Sequence, residues 1–181
     1  MRLFVALHPP PAAVEDAATA VGSVRERVDG PRWVPPARWH LTLAFYGEVP
    51  DDEVARINRR VARAAAAAAP MDLSLRGAGA FAGRAVWLGV TGTPVDLARL
   101  RALAGALDRS PQHRPYRPHL TVARLRPSTT AAAAEAAVAA LSTYSGPAWT
   151  ATTVRLVRSR LGPQPAHDDL ATWPLGPPAG P

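Results

Sequence analysis

The chain has 181 residues, a formal net charge of +7 and no cysteine. Thiol nucleophiles, disulfides, Cys-ligated zinc and iron–sulfur clusters are excluded, and a globule of this length buries roughly 70% of the surface its unfolded chain exposes. Every basic residue is arginine; its planar fork suits phosphate, although the abundance of Ala, Pro, Gly and Arg is equally what a GC-rich coding sequence produces.

Taken in chain order, Arg2-Leu3-Phe4-Val5-Ala6-Leu7 reads as a first strand halted at Pro9-Pro10-Pro11, too short for the core of a secretory signal. No stretch approaches the ~20 apolar residues of a membrane span, so the expected compartment is the cytoplasm, with neither a membrane nor an obligate protein partner called for. Residues 12–28 carry apolar side chains at helical spacing, with Glu15 and Asp16 in the first turn and Arg25 and Arg27 in the last, as the helix dipole favours. After Pro35-Pro36 comes an aromatic and apolar run, Trp39-His40-Leu41-Thr42-Leu43-Ala44-Phe45-Tyr46, that ends at Gly47 and predicts a buried strand.

A second helix is expected over 51–69, opened by Asp51, Asp52 and Glu53 and stopped by Pro70. Strands follow at 72–77 and 84–90, then a third helix at 94–109 with Pro94 in its first turn and Leu100, Leu103 and Leu107 on its apolar face. The remainder predicts a strand at 119–126, an alanine-rich helix at 129–141 and one strand at 150–161. The proline- and glycine-rich end, 176–181, reads as a disordered tail.

Two of these strands repeat a motif almost half the chain apart: His40-Leu41-Thr42-Leu43-Ala44 and His119-Leu120-Thr121-Val122-Ala123. Side chains alternate along a strand, so each His and Thr share one face while the aliphatic residues between them anchor the other. One such motif alone is more often a structural histidine; two in matching context point to paired lobes that bring both imidazoles to one site. Two imidazoles supply an acid and a base near neutral pH, and two hydroxyls can donate to phosphoryl oxygens. A metal is disfavoured, since the repeat offers no nearby carboxylate ligand, and no cofactor is expected. His8, His113 and His167 lack this context and read as surface or structural. Arg32, Trp33, Trp39 and Trp87 offer stacking or phosphate contacts to RNA, with core packing the stronger reading for Trp39 and Trp87.

These residues resemble the two-histidine (2H) phosphoesterase superfamily, in particular its RNA 2′,3′-cyclic phosphodiesterase branch of the LigT or ThpR type, which is 2′–5′ RNA ligase-like. The likeness covers about residues 1–175 and includes Arg32-Trp33-Val34-Pro35, Ala85-Val86-Trp87-Leu88-Gly89-Val90 and Arg117-Pro118-His119-Leu120-Thr121-Val122-Ala123-Arg124. It implies an α+β, bilobal, pseudo-twofold fold: one domain over 1–175, with two antiparallel sheets lining a central cleft and helices outside. It implies hydrolysis of a terminal ribose 2′,3′-cyclic phosphate on RNA ends or nucleotides to a 2′-phosphate, with His40 as acid and His119 as base. The residues themselves leave those two roles open. By the same likeness Thr42 and Thr121 hold the phosphate and Arg124 helps bind phosphate or nucleotide. Strict alternation puts Arg124 on the face opposite His119, so that role requires a twist, bulge or strand end. The chain also departs from the family after Ser159-Arg160-Leu161, where Pro165-Ala166-His167 stands in a region that usually carries a glycine and a tyrosine. Ligation at the same site through a 2′–5′ linkage, or RNA-end binding without catalysis, are the alternative functions.

Overall fold

Helix ends follow from local chemistry. Pro11 and Pro94 sit in first turns, where a missing N–H is no loss, and the Thr93 and Thr130 hydroxyl oxygens accept the N–H groups of Asp96 and Ala133, capping the third and fourth helices. The computed structural model describes residues 1–81, 83–108, 116–162 and 165–176. In chain order the elements are β1 (Arg2–Leu7), α1 (Pro11–Arg25), β2 (Arg32–Trp33), a 3-10 turn at Pro36–Arg38, β3 (Leu41–Glu48), α2 (Asp51–Ala67), β4 (Met71–Phe81) and β5 (Ala85–Gly92). There follow α3 (Pro94–Leu107), β6 (His119–Arg124), α4 (Ala131–Leu141), β7 (Ser145–Ala151), β8 (Thr153–Arg160) and β9 (Ala166–Pro174).

The strands form a curled antiparallel sheet in the order β7-β4-β5-β6-β3-β1-β8-β9, with β2 alongside β6. The two expected sheets are the two four-stranded halves of this path, and they meet at one residue pair, Leu41 opposite Leu120. Beyond that pair β3 and β6 part, and β2 takes the place beside β6, pairing Arg32 with Arg124 and Trp33 with Ala123.

Strand alternation sorts the side chains. Leu3, Val5 and Leu7 join the main core with Ala13, Ala17 and Val21 of α1, Ile57 and Val61 of α2, and Leu100 and Leu103 of α3. Phe4 and Ala6 form a separate cluster with Val157 on the other face. The helices therefore cover one face, and the opposite face is free to carry a cleft. Each fully buried leucine contributes roughly 1.5–3 kcal/mol relative to an exposed one, and Leu3, Leu41, Leu88, Leu120 and Leu156 are all fully buried on strands that frame the cleft.

Where the sequence predicts one strand at 150–161, the structure has two, parted at Thr152: β7 pairs with β4 in one half, and β8 pairs with β1 in the other. Strand β9 was not expected. It is an edge strand rich in His167, Asp168 and Asp169 and ending at Pro174, a composition that protects an edge and hides strand periodicity. Of the expected tail, Gly176 donates its N–H to the Ala65 carbonyl at 3.1 Å; 177–181, together with Arg109 of the expected third helix and His113, lie outside the described residues. Among the described residues no helix is long and apolar enough to cross a membrane.

Candidate active site

Leu41 faces Leu120 where the two motif segments meet, so His40 and Thr42 flank that contact on one chain segment and His119 and Thr121 flank it on the other. One histidine and one threonine therefore come from each side of that contact. All four side chains line one cleft of about 300 Å³.

Each imidazole is oriented in the same way. Nδ1 of His40 lies 2.8 Å from the Arg38 carbonyl, and Nδ1 of His119 lies 2.7 Å from the Arg117 carbonyl, in both cases two residues back along the chain. A carbonyl only accepts, so Nδ1 carries the proton and Nε2 is the nitrogen available to a ligand. Phe4 stacks on His40 with ring centroids 4.7 Å apart, and Phe81 meets His119 edge-on at 4.9 Å.

The same irregularity occurs in both motif strands. Ala6 pairs with Thr42 and Val5 with Ala44, leaving Leu43 as an extra residue in β3; Trp87 pairs with Thr121 and Val86 with Ala123, leaving Val122 as an extra residue in β6. These are β-bulges. A bulge makes two residues count as one step, so Arg124 returns to the phase of His119 and Thr121 and lines the cleft with them. Its condition, set by simple alternation, is met. In β3 the same step brings Phe45 to the cleft, 56% exposed and covered by the Arg2 guanidinium 4.7 Å from its ring centroid.

His167, expected as a surface or structural residue, lines the cleft: its ring stands edge-on to His40 at 5.2 Å and to Phe4 at 5.0 Å, and the half-buried His8 lies 5.9 Å from His40. His8 continues the alternation of Phe4 and Ala6, a signal present in the sequence; His167 had none, since β9 is not legible as a strand. Trp39 is a core residue as expected, with its Nε1–H donated to the Val34 carbonyl at 2.8 Å. Trp87 is only half-buried, 6.2 Å from His119.

Burial pushes His40 down to about 4, with His167, His8 and Arg124 adding to the effect and the Arg38 carbonyl opposing it. Burial likewise lowers His8 to about 4, followed by the charge of Arg155. His119 is also lowered, by burial first and then by Arg124 and Arg117, against the pull of the Arg117 carbonyl. The cleft by itself thus favours neutral imidazoles with Nε2 lone pairs. Along one side, the cleft opens into a groove of about 940 Å³ that shares Thr42, Phe45, His119, Thr121 and Arg124 and adds Phe81, Arg84, Arg101 and Arg117.

Residues 9–163 match the family model described as the 2′-5′ RNA ligase superfamily. An RNA 2′,3′-cyclic phosphodiesterase of Geobacillus stearothermophilus is 33% identical over 79% of this chain and 47% of its own. The chain spans about half the length of the first curated relatives it matches, 47% and 55%. Among solved structures, TT0787 of Thermus thermophilus is 29% identical with a TM-score of 0.75, covering 99% of this chain and 100% of that one. LigT of E. coli complexed with 3′-AMP is 27% identical with a TM-score of 0.71, covering 97% and 98%.

Proposed function

Because the chain belongs to the 2′-5′ RNA ligase superfamily, we propose that it is an RNA 2′,3′-cyclic phosphodiesterase that hydrolyses a terminal ribose 2′,3′-cyclic phosphate to a 2′-phosphate without a metal. The observation that carries this reading is the pair of His-x-Thr strands meeting at Leu41 and Leu120, with each Nδ1 committed to a backbone carbonyl two residues back.

In this reading water attacks phosphorus while Nε2 of His119 takes its proton. The bond from phosphorus to the 3′ oxygen breaks, and Nε2–H of His40 protonates that oxygen. The products are a 2′-phosphate and a 3′ hydroxyl; His119 is left protonated and His40 neutral, and exchange with solvent resets both. The Thr42 and Thr121 hydroxyls donate to the non-bridging oxygens, and Arg124 balances their charge. Burial disfavours an imidazolium in the cleft by itself, so the acid proton is held chiefly when the phosphate anion is bound beside it. Residues 1–175 act together here as one bilobal domain.

Ligation, in which a 5′ hydroxyl replaces water as the nucleophile, the bond from phosphorus to the 3′ oxygen again breaks and a 2′–5′ linkage forms, uses the same groups, and the adjoining groove gives it a place for a second strand. The test is to incubate the protein with an oligoribonucleotide ending in 2′,3′-cyclic phosphate, with and without chelator, and to identify the product. A 2′-phosphate formed equally in both conditions is the expected result. A 3′-phosphate product or loss of activity with chelator contradicts the mechanism, and binding without turnover makes the protein an RNA-end-binding module instead.

A further inference from the structure

The cleft holds more positive charge than a cyclic phosphate, which carries one negative charge, can balance. Arg32, Arg38 and Arg124 all line it and no carboxylate does. Among the described residues none of the three forms an ion pair. Arg32 lies directly opposite Arg124 in the β2–β6 ladder, an arrangement that is unfavourable for like charges unless something lies between them. Arg38 Nε is buried without a hydrogen-bond partner among the described residues. Burial lowers the Arg124 pKa, and Arg32 and Arg38 lower it further, which is the electrostatic trace of their crowding.

This crowding is not the result of a loose segment. Val34 N–H donates to the Val122 carbonyl at 2.8 Å, and the Arg38 and Trp39 N–H groups donate to the Pro35 and Pro36 carbonyls at 2.9 Å. The buried Trp39 ring closes the turn through its own bond to Val34. The backbone carrying Arg32 and Arg38 is therefore braced against β6, so the energy of holding the guanidinium groups together is already spent before a ligand arrives.

We propose that Arg32 and Arg38 form a second-phosphate subsite, which takes the phosphoryl group on the 5′ oxygen of the same ribose whose 2′,3′-cyclic phosphate is cleaved. This rests on the phosphodiesterase reading and deepens it: the preferred substrate bears a 5′-phosphoryl group as well as the cyclic one. On an RNA end that group is the internucleotide diester; on a mononucleotide it is a free 5′-phosphate. The chemistry is shared, since charge-assisted bonds from a planar guanidinium suit either.

Three substrates separate the possibilities: a nucleoside 2′,3′-cyclic phosphate with a 5′ hydroxyl, the same compound with a 5′-phosphate, and a dinucleotide ending in the cyclic phosphate. The wild-type kcat/KM is expected to rise between about ten- and one-hundredfold when the 5′-phosphoryl group is present, the range that a charged hydrogen bond supplies. A gain with both phosphorylated substrates places any 5′-phosphoryl group in the subsite, and a gain with the dinucleotide alone assigns it to the diester. R32Q and R38Q should each bring that ratio towards one, whereas T121A should lower turnover of all three substrates and keep the ratio. A wild-type ratio near one, or a ratio unchanged in both arginine variants, overturns the proposal while leaving the phosphodiesterase reading intact. If the wild type turns over none of them, that reading fails instead. Calorimetric binding of the 2′-phosphate products with and without a 5′-phosphate then decides the subsite by the same ratio.

Discussion

Leu41 and Leu120 face each other as the one residue pair through which β3 and β6 join, and both are 0% exposed. Each is flanked by a histidine and a threonine that point the other way, so an apolar contact on the helix side fixes the spacing of four polar groups on the cleft side. The packing and the chemistry are two faces of the same six residues.

Removing one side of this contact should therefore affect both. Leu120→Ala is expected to destabilise the fold by about 2–5 kcal/mol, as large-to-small core changes do, and to lower kcat in the folded fraction. Leu120→Met, close in volume, should cost less than about 1.5 kcal/mol and keep most activity. Urea unfolding and turnover measured on the same preparations check this; an alanine variant with full kcat would separate the contact from the site.

Either histidine replaced by alanine should reduce turnover of a cyclic-phosphate-terminated oligonucleotide by roughly 10²–10⁴-fold. Asparagine is the more informative change, because its amide N–H can replace Nδ1–H in the bond to the Arg38 or Arg117 carbonyl but supplies nothing in place of Nε2. His119→Asn is expected to fold with wild-type stability and to be as inactive as His119→Ala in single-turnover assays. Activity well above that of His119→Ala would mean that Nε2 is not the working atom.

Gly89 lies opposite His119 in the β5–β6 ladder, and a Cβ there would come within 2.6 Å of the Arg76 carbonyl oxygen. Backbone cannot rotate aside as a side chain can, so Gly89→Ala should cost about 1–3 kcal/mol through overpacking and shift β5 against the histidine. Gly105→Ala, at a helical site with nothing within 4 Å of the new atom, should be neutral or stabilising by up to about 1 kcal/mol. Thermal melts should show Gly89→Ala shifted down and Gly105→Ala unchanged or shifted up.

Stability should fall in mild acid. His8 and His40 are lowered to about 4, and His119 and His167 are lowered as well, with burial the first cause in each. The unfolded chain then takes up protons near pH 6.5 that the folded chain refuses, so the unfolded state binds more protons and stability rises with pH. This contribution is fully present above pH 6.5 and is lost as pH drops from 6.5 towards 4; His40 alone accounts for about 3 kcal/mol at 1.36 kcal/mol per unit. Urea midpoints measured between pH 7.5 and 4.5 should decline, most steeply below 6.5, and a flat profile would contradict the buried, neutral assignment.

The helices were legible because each depends on local periodicity and nearby stop signals: the span predicted as 51–69 is Asp51–Ala67, and the one predicted as 129–141 is Ala131–Leu141. The His-x-Thr strands were legible for the same reason, since a period of two residues sets which side chains share a face. Arg124 marks where that rule stops. Its place in the cleft depends on Val122 being an extra residue against β5, and a bulge is a property of two paired strands rather than of one.

His40, Thr42, His119 and Thr121 could thus be named from the chain alone, and so could the core faces of the helices, because a repeating pattern carries its own geometry. Which neighbours surround them was settled only by folding. His167 reaches His40 through β9, an edge strand whose polar sequence follows no apolar rhythm; Arg32 reaches Arg124 through a two-residue strand too short to have one. Contacts between segments far apart in the chain are fixed by register and pairing, and those arise from the whole core closing at once.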